Sequence, residues 1–433
     1  MGVCAMNPIQ PPPLKNDCFA LPPGVDWTPV EEAKARLRSA LSSVVAADQK
    51  VPIEHARDRI LAADIAAARS NPPASNSAVD GYGFKGPVEA GAQIMELAPG
   101  RAAAGVPFEG HVGPGQAVRI LTGAILPAGI DTVVLEEDCT IEPDRIAFQG
   151  PLKAGANTRS AGEDVTTDSP IFKAGRRLSA TDLALLASAG VAEVPVYSRL
   201  RVGVLSTGDE IREPGQSASD WQIYDANRLM LLSMLADLGF EAIDLGLVED
   251  RREAVRDALN QGASQCDLIL TSGGASAGDE DHVSAILKAE GQLTSWRIAL
   301  KPGRPLVLGM WANTPLIGLP GNPVAAWVCT LVFGRPAMEV LAGGHWREPR
   351  GVVLPAGFIK NKRRGRAEYL RARIGETGDV EVFPSEGSGR ISSISWSDGL
   401  VELGFEAESI EPGTSVRYIS YAEFLRPSQS TDP

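Results

Sequence analysis

The chain has 433 residues, 44% of them hydrophobic, with a net charge of −13 and a pI near 5.0. At roughly 150 residues per domain, that length is enough for about three domains with ordinary globular cores. So acidic a chain argues against general binding to nucleic acid or to an anionic membrane surface, and no uninterrupted apolar run reaches the ~18 residues of a spanning helix.

Residues 1 to about 16 are Pro-rich, and disorder is expected there. The opening MGVCAMNPIQPPP has no signal-peptide core. Cys4, Cys18, Cys139, Cys266 and Cys329 are far apart and make no CxxC motif. Isolated reduced thiols in a cytoplasmic protein are therefore expected, rather than a zinc site or a disulfide framework. His55, His111, His282 and His345 are equally scattered and read as structural.

From Thr28, TPVEEAKARLRSAL reads as a helix with Thr28 as N-cap, Pro29 at its first position and acids in its first turn. Between about 85 and 155 the texture changes to short β-type runs broken by Gly and Pro, as in AVRILTGAILPAGIDTVVLEED, and a small β domain is predicted. A helix, SATDLALLASAG, follows, capped by Ser179 or Thr181 and stopped at Gly190.

Residues 200–340 alternate strand and helix: LRVGVLSTG, NRLMLLSMLADLGF, EAIDLGLV, RREAVRDALNQG, CDLILTSGG and DHVSAILKAEG. The β-like runs TSWRIAL, PLVLGMW and PLIGLP come next, then a helix opened by Asn322 as cap and Pro323 at the first position. This alternation predicts a largely parallel, doubly wound sheet. From about 345 strands return without long helices (GVVLPAGFI, AEYLRARI, VEVFPS, SVRYISY), which predicts a C-terminal β domain. No period of 20–50 residues repeats, so a solenoid is excluded.

In a parallel α/β sheet, ligands bind beyond the C-terminal strand ends. The segments there are STGDE (206–210), VED (248–250), TSGGASAGDED (271–281) and GLPGNP (318–323). Glycines let backbone N–H groups approach a phosphate, and a helix N-terminus favours an anion. Glu210, Asp250 and Asp281 are suited to hold Mg²⁺, which takes a few carboxylate oxygens and leaves its other positions to water and phosphate. The plainer alternative is that a strand-end acid only caps a helix, and Gly-rich turns end many strands. In SWRIALKPGRPLVLG, period-2 alternation places Arg297, Lys301 and, past the turn, Arg304 near one side. Surface solvation is the alternative, but Pro302 and Gly303 argue for a shaped loop. KNKRRGRAEYLRARI carries a second basic cluster. Alone it reads as a solvated charge run; beside 297–304 it offers guanidinium forks to a tetrahedral oxyanion.

Several segments together resemble the MoeA and gephyrin E-domain family of molybdopterin molybdenumtransferases. NPPASNSAVDGYGF, LTGAILPAGIDTVVLEED, RSAGEDV, STGDEI, IYDANRLML, SGGASAGDEDHV, ALKPGRPL and GLPGNPVAAW stand in the family's order and spacing, and the resemblance runs from about 17 to 425. It implies insertion of molybdate into the dithiolene of adenylylated molybdopterin, with Mg²⁺ and release of AMP. By the same resemblance Asp80, Thr122, Asp164, Glu210, Asp250 and Asp281 occupy the acidic and polar site positions, with Asp80, Glu210, Asp250, Asp281 and Lys301 expected to be catalytic. Ser276, Arg297, Lys301, Arg304, Pro320, Pro323, Arg366 and Ser392 match positions for nucleotide, pterin phosphate or molybdate. Arg304 and Arg297 stand where Lys is usual, and Val79 and Gly83 where Met and Ala are.

The implied architecture is multidomain α/β and β. An elongated N-terminal domain is made of residues 17–84 and 156–198, with the β domain 85–155 inserted. An α/β domain at 199–344 is similar to molybdopterin adenylyltransferase, and a C-terminal β domain covers 345–427. The working unit implied is a homodimer sharing its clefts, with the adenylyltransferase and molybdoenzyme apoproteins as further partners. Two other readings compete: an adenylyltransferase, which needs neither the N- nor the C-terminal domains, and a non-catalytic gephyrin-like scaffold, which does not need the acids.

Overall fold

The computed structural model describes residues 27–46, 49–273, 282–303 and 305–425. Ser276, Asp281 and Arg304, and the Pro-rich tail, lie outside them.

The first helix is Val30–Ala40, one residue short of the expected start. Pro29 holds the cap position with no side-chain cap, because Thr28 is committed elsewhere. Thr28 bridges Ile298, its N–H donating to Arg297 O (2.9 Å) and its carbonyl accepting from Ala299 N (2.8 Å). Val30, Ala33 and Leu37 recur on one helical face and are buried. Lys34, also buried, is neutralised by Glu348 at 2.9 Å and Glu31 at 3.2 Å.

The chain then runs out and back through short antiparallel pairs. Gln49–Pro52 pairs with Glu193–Val196, Ile65–Ala66 with Pro170–Phe172, and Asn76–Ser77 with Thr158–Arg159. The helix Ala180–Ser188 closes this region on a capping box, Ser179 with Asp182, which selects Ser179 over Thr181 as its cap. Between the two arms lies a six-stranded sheet in the order Thr132–Leu135, Gly81–Phe84, Gln116–Ile120, Val88–Ala102, Arg145–Leu152, Thr140–Ile141. Gly81–Phe84 therefore belongs to this sheet rather than to the arm where the sequence reading placed it. A Cβ at Gly81 would stand 1.9 Å from Val134 O, so only glycine allows that strand to pair so closely.

The central sheet has the order Glu241–Val248, Arg201–Thr207, Leu268–Ser272, Thr314–Leu319, Pro305–Trp311, Gln292–Arg297. The first four strands are parallel; Pro305–Trp311 runs antiparallel to them, and Gln292–Arg297 pairs antiparallel with Pro305–Trp311. Alternate residues feed two faces. Val202, Val204, Leu268, Leu270 and Ile317 pack with Leu231 and Leu235 of helix Ala226–Asp237, whereas Leu205, Ile269 and Val307 pack with Leu259 and Ile286 of helices Arg252–Gln265 and His282–Glu290. Residues 323–341 make one long helical run of α, π and α turns. It is long and apolar enough to cross a membrane, yet 89% buried inside the protein, as a core helix is.

The C-terminal sheet runs Leu300–Lys301, Ala367–Ile374, Gly399–Leu403, Ser415–Ser420, Val352–Pro355. Its first strand comes from the α/β region: TSWRIAL is not one strand but two, split at the Thr28–Ile298 bridge. Arg297 ends the central sheet's edge strand and Lys301 enters the C-terminal sheet opposite Glu368, so the expected alternation through 297–304 does not carry across.

Candidate active site

The parallel strand ends converge as the α/β pattern requires. Thr207 and Val248 are in register, so the turns holding Asp209, Glu210 and Asp250 are neighbours. Asp209 Oδ1 accepts from Asp250 N at 3.2 Å. The following helix, Arg252–Gln265, takes Arg251 as its cap, with no side-chain cap bond. Gly208 and Gly273 have φ of +148° and +91°. A Cβ at Gly273 would press on Thr207 O at 2.9 Å. These glycines shape the turns, and their backbone leaves room beside the acids.

Asn227, in the first turn of Ala226–Asp237, ties two strand ends together. Its Nδ2 donates to Ser272 Oγ (2.8 Å) and to Gly321 O (2.7 Å). Asn227 Oδ1, Ser206 Oγ and Thr271 Oγ1 are buried with no hydrogen-bond partner among the described residues. Asn227 was not anticipated as a site residue; its signal was the polar residue heading an otherwise apolar helix in IYDANRLML.

A cavity of about 400 Å³ lies where the α/β loops meet the C-terminal domain, lined by Lys301, Pro302, Gly303, Pro320, Asn322, Arg366, Glu386 and Ser388, among others. Three residues expected from sequence thus meet there: Lys301, Pro320 and Arg366. Pro323 heads the adjoining helix, and its neighbour Val324 N donates to Ser388 O at 3.1 Å. Ser392 is not brought to this cavity. It is exposed at the start of the short helix Ser392–Trp396 and does not line the cavity; Ser388, four residues earlier in the same Gly-rich run, does. Arg297 is half-buried at the end of its strand, outside the cavity lining.

Sequence reasoning also missed a ring of charge that reaches the cavity wall through Lys301 and Glu386. Lys301 pairs with Glu386 and, at 3.7 Å, with Glu368; Lys360 pairs with Glu368 at 2.9 Å and with Glu386. Burial works to raise the Glu386 carboxyl, but hydrogen bonds from both lysines outweigh it and bring it to about 2. Burial opposes the charge of Lys360, and its bonds to Glu386 and Glu368 raise it nevertheless.

Asp80 and Thr122 form one polar pair in the N-terminal part, and Asp164 pairs there with Asn71. Asp80 Oδ1 accepts from Thr122 N (2.6 Å) and Thr122 Oγ1 (2.7 Å), bonds that hold the carboxyl below its ordinary range. Asp164 Oδ2 accepts from Asn71 Nδ2 at 3.1 Å. Asp80, Thr122 and Asp164 are all exposed.

Among the described residues no group of three His, Cys, Asp or Glu is arranged to enclose a metal ion. Mg²⁺ does not require one, since it retains water and phosphate oxygens around one or two carboxylates. Glu210 and Asp250 on adjacent turns, with Asp209 beside them, fit that open mode of binding.

Three family models match in succession: the MoeA N-terminal region (domains I and II) over residues 28–190, a probable molybdopterin binding domain over 203–340, and the MoeA C-terminal region (domain IV) over 353–421. The molybdopterin molybdenumtransferase of Haemophilus influenzae is 37% identical over 84% of this chain and 91% of its own length. That of Synechococcus elongatus is 32% identical over 88% of this chain and 96% of its own length. The crystal structure of the molybdopterin biosynthesis MoeA protein from Pyrococcus horikoshii superposes with a TM-score of 0.78 at 25% identity, covering 92% of this chain and 100% of that one. From its first helix to its last sheet, the chain belongs to the MoeA family of molybdopterin molybdenumtransferases.

Proposed function

We propose that this chain inserts molybdate into adenylylated molybdopterin, the metal-insertion step of molybdenum-cofactor synthesis, with release of AMP. The observation that carries the reading is the cavity holding Lys301, Arg366 and Ser388, joined to the α/β sheet's strand ends by the loop Pro320–Asn322. A dianion entering a protein of net charge −13 needs a local cationic pocket. Lys301 supplies a point charge, Arg366 a planar fork and Ser388 a hydroxyl. The two dithiolene sulfurs bond to molybdenum as one molybdate oxygen leaves as water with the two thiol protons, and a second water cleaves the phosphoanhydride, giving AMP and the pterin's terminal phosphate.

Glu210 and Asp250, with Asp281 by resemblance, are the residues that would hold Mg²⁺. When bound, that ion neutralises phosphoanhydride charge. The protein's own part is to place the nucleotide. Gly208, Gly273 and Gly321 keep side chains away from the strand ends, and Asn227 fixes the spacing of two of them.

Among the described residues, the side-chain hydrogen bonds of Asp80, Thr122 and Asp164 stay within residues 71–165. That supports a homodimer in which one subunit's β insert completes its partner's cleft, two-fold pairing being the commonest symmetry. A cytoplasmic location accords with the scattered cysteines. The test supplies the purified protein with adenylylated molybdopterin, Mg²⁺ and molybdate, then measures AMP and cofactor able to activate an apo-molybdoenzyme. Molybdate-dependent formation of both is expected; AMP without cofactor would reassign the chain to nucleotide hydrolysis.

A further inference from the structure

The two carboxylates in the ring around Lys301 are not equivalent. Glu368 is in register with Lys301 across the strand pair, and its side chain is only 8% exposed, so its place is fixed. The Glu386 side chain is 43% exposed and stands on the loop between Val380–Val382 and Ser392–Trp396. Buried Arg371 grips that loop on both sides of Glu386, donating from Nη2 to Ser385 O (2.5 Å) and Gly387 O (3.4 Å), and from Nε to Ser393 Oγ (3.0 Å). The loop backbone is thus anchored while the Glu386 side chain keeps a path to solvent by rotation alone.

The two lysines and two glutamates sum to zero charge. Glu386 bridges Lys301 and Lys360, whereas Glu368 sits 2.9 Å from Lys360 and only 3.7 Å from Lys301, so Glu386 is the nearer counter-ion of Lys301. A carboxylate on the lysine of an oxyanion cavity opposes the ligand it is built to receive, because like charges at close range in a half-buried site repel strongly.

We propose that Glu386 is a displaceable counter-ion for this subsite: it neutralises Lys301 in the resting cavity and swings outward when a dianionic tetrahedral oxyanion enters. This rests on the oxyanion-binding reading above and adds a selectivity device to it. A monoanion gains little by replacing one carboxylate, whereas a dianion gains from Lys301 and Arg366 together. The carboxyl is ionised throughout the neutral range, so displacement rather than protonation clears the site. Two oxyanions share the required chemistry, molybdate and the phosphate monoester of the pterin.

The experiment titrates molybdate, and separately phenyl phosphate, into wild-type protein, Glu386→Gln, Glu386→Ala and Lys301→Ala by calorimetry at pH 7 and low salt. Both Glu386 variants should bind at least one of the anions about tenfold more tightly, about 1.4 kcal/mol, and the gain should shrink in high salt. The anion that gains more identifies the natural occupant. Glu386→Ala keeps the test open if Glu386→Gln misfolds. Unchanged or weaker binding in the folded Glu386 variants, with Lys301→Ala still weakened, overturns the proposal and makes Glu386 a positioning partner of Lys301. If Lys301→Ala binds both anions as the wild type does, the cavity is not an oxyanion subsite, and the placement in the proposed function falls with it.

Discussion

Arg177 and Glu339 form a two-pronged pair, Nε to Oε1 at 3.0 Å and Nη2 to Oε2 at 2.7 Å, with side chains 3% and 5% exposed. It fastens the returning N-terminal arm to the long core helix. Lys301 and Glu386 make a single-pronged ion pair at the edge of a cavity, with side chains 25% and 43% exposed. In the first pair neither charge has anywhere else to go, so the contact is part of the fold. In the second both charges face space that a ligand can fill, so the contact is exchangeable. Burial, more than the residue types, separates an ion pair that holds structure from one that waits for substrate.

The largest effect expected from this contrast is on stability. Glu339→Ala strands a buried guanidinium and should lower the unfolding free energy by roughly 3–5 kcal/mol in denaturant titration, with AMP release per folded molecule nearly unchanged. Lys301→Ala should behave in the opposite way. We expect kcat/KM for molybdate-dependent AMP release to fall on the order of 100-fold, about 2.7 kcal/mol, with a near-wild-type melting temperature. A large melting shift in that variant would erase the distinction between the two pairs.

Ser388 and Ser392 sharpen the outline of the cavity. Ser388→Ala should raise the molybdate concentration for half-maximal rate about tenfold, the scale of one hydrogen bond to a charged group. Ser392→Ala should change it less than about twofold.

The smallest effect concerns pH. The Glu386 carboxyl lies at about 2 in the folded protein, below its ordinary value of about 4.3. Its stabilising contribution is therefore fully present above about pH 5 and is lost as pH falls from about 4 through 2. The melting-temperature difference between wild type and Glu386→Gln should stay flat from pH 5 to 8 and close below about pH 4. A change within the neutral range would mean the carboxylate is not held by the two lysines.

What the sequence made legible follows from local rules. Strand–helix alternation announced the doubly wound sheet, and the strand-end segments do bring Asp209, Glu210 and Asp250 onto neighbouring turns. The resemblance brought Lys301, Pro320 and Arg366 to the cavity without knowledge of its shape. The failures are equally physical. Thr28 lost its capping role to a bridge with Ile298, a partner 270 positions away that no local pattern records. TSWRIAL was read as one strand because periodicity cannot show that its last residues join another sheet. Glu386 and Lys360 reach Lys301 from 85 and 59 positions along the chain, so their ring existed only once the C-terminal domain had closed on the α/β loops. Ser392 came from matching the run GSGRISS by resemblance, and that match could not show that Ser388, four residues earlier, lines the cavity.

The central claim is that the cavity between the α/β loops and the C-terminal domain receives molybdate. Anomalous diffraction at the molybdenum edge, on crystals equilibrated with millimolar molybdate, tests it most directly. The account predicts one dominant peak within hydrogen-bonding reach of Lys301 Nζ and the Arg366 guanidinium, with the Glu386 carboxylate turned away from Lys301. A dominant peak outside this cavity, with the Lys301–Glu386 pair intact, would contradict it.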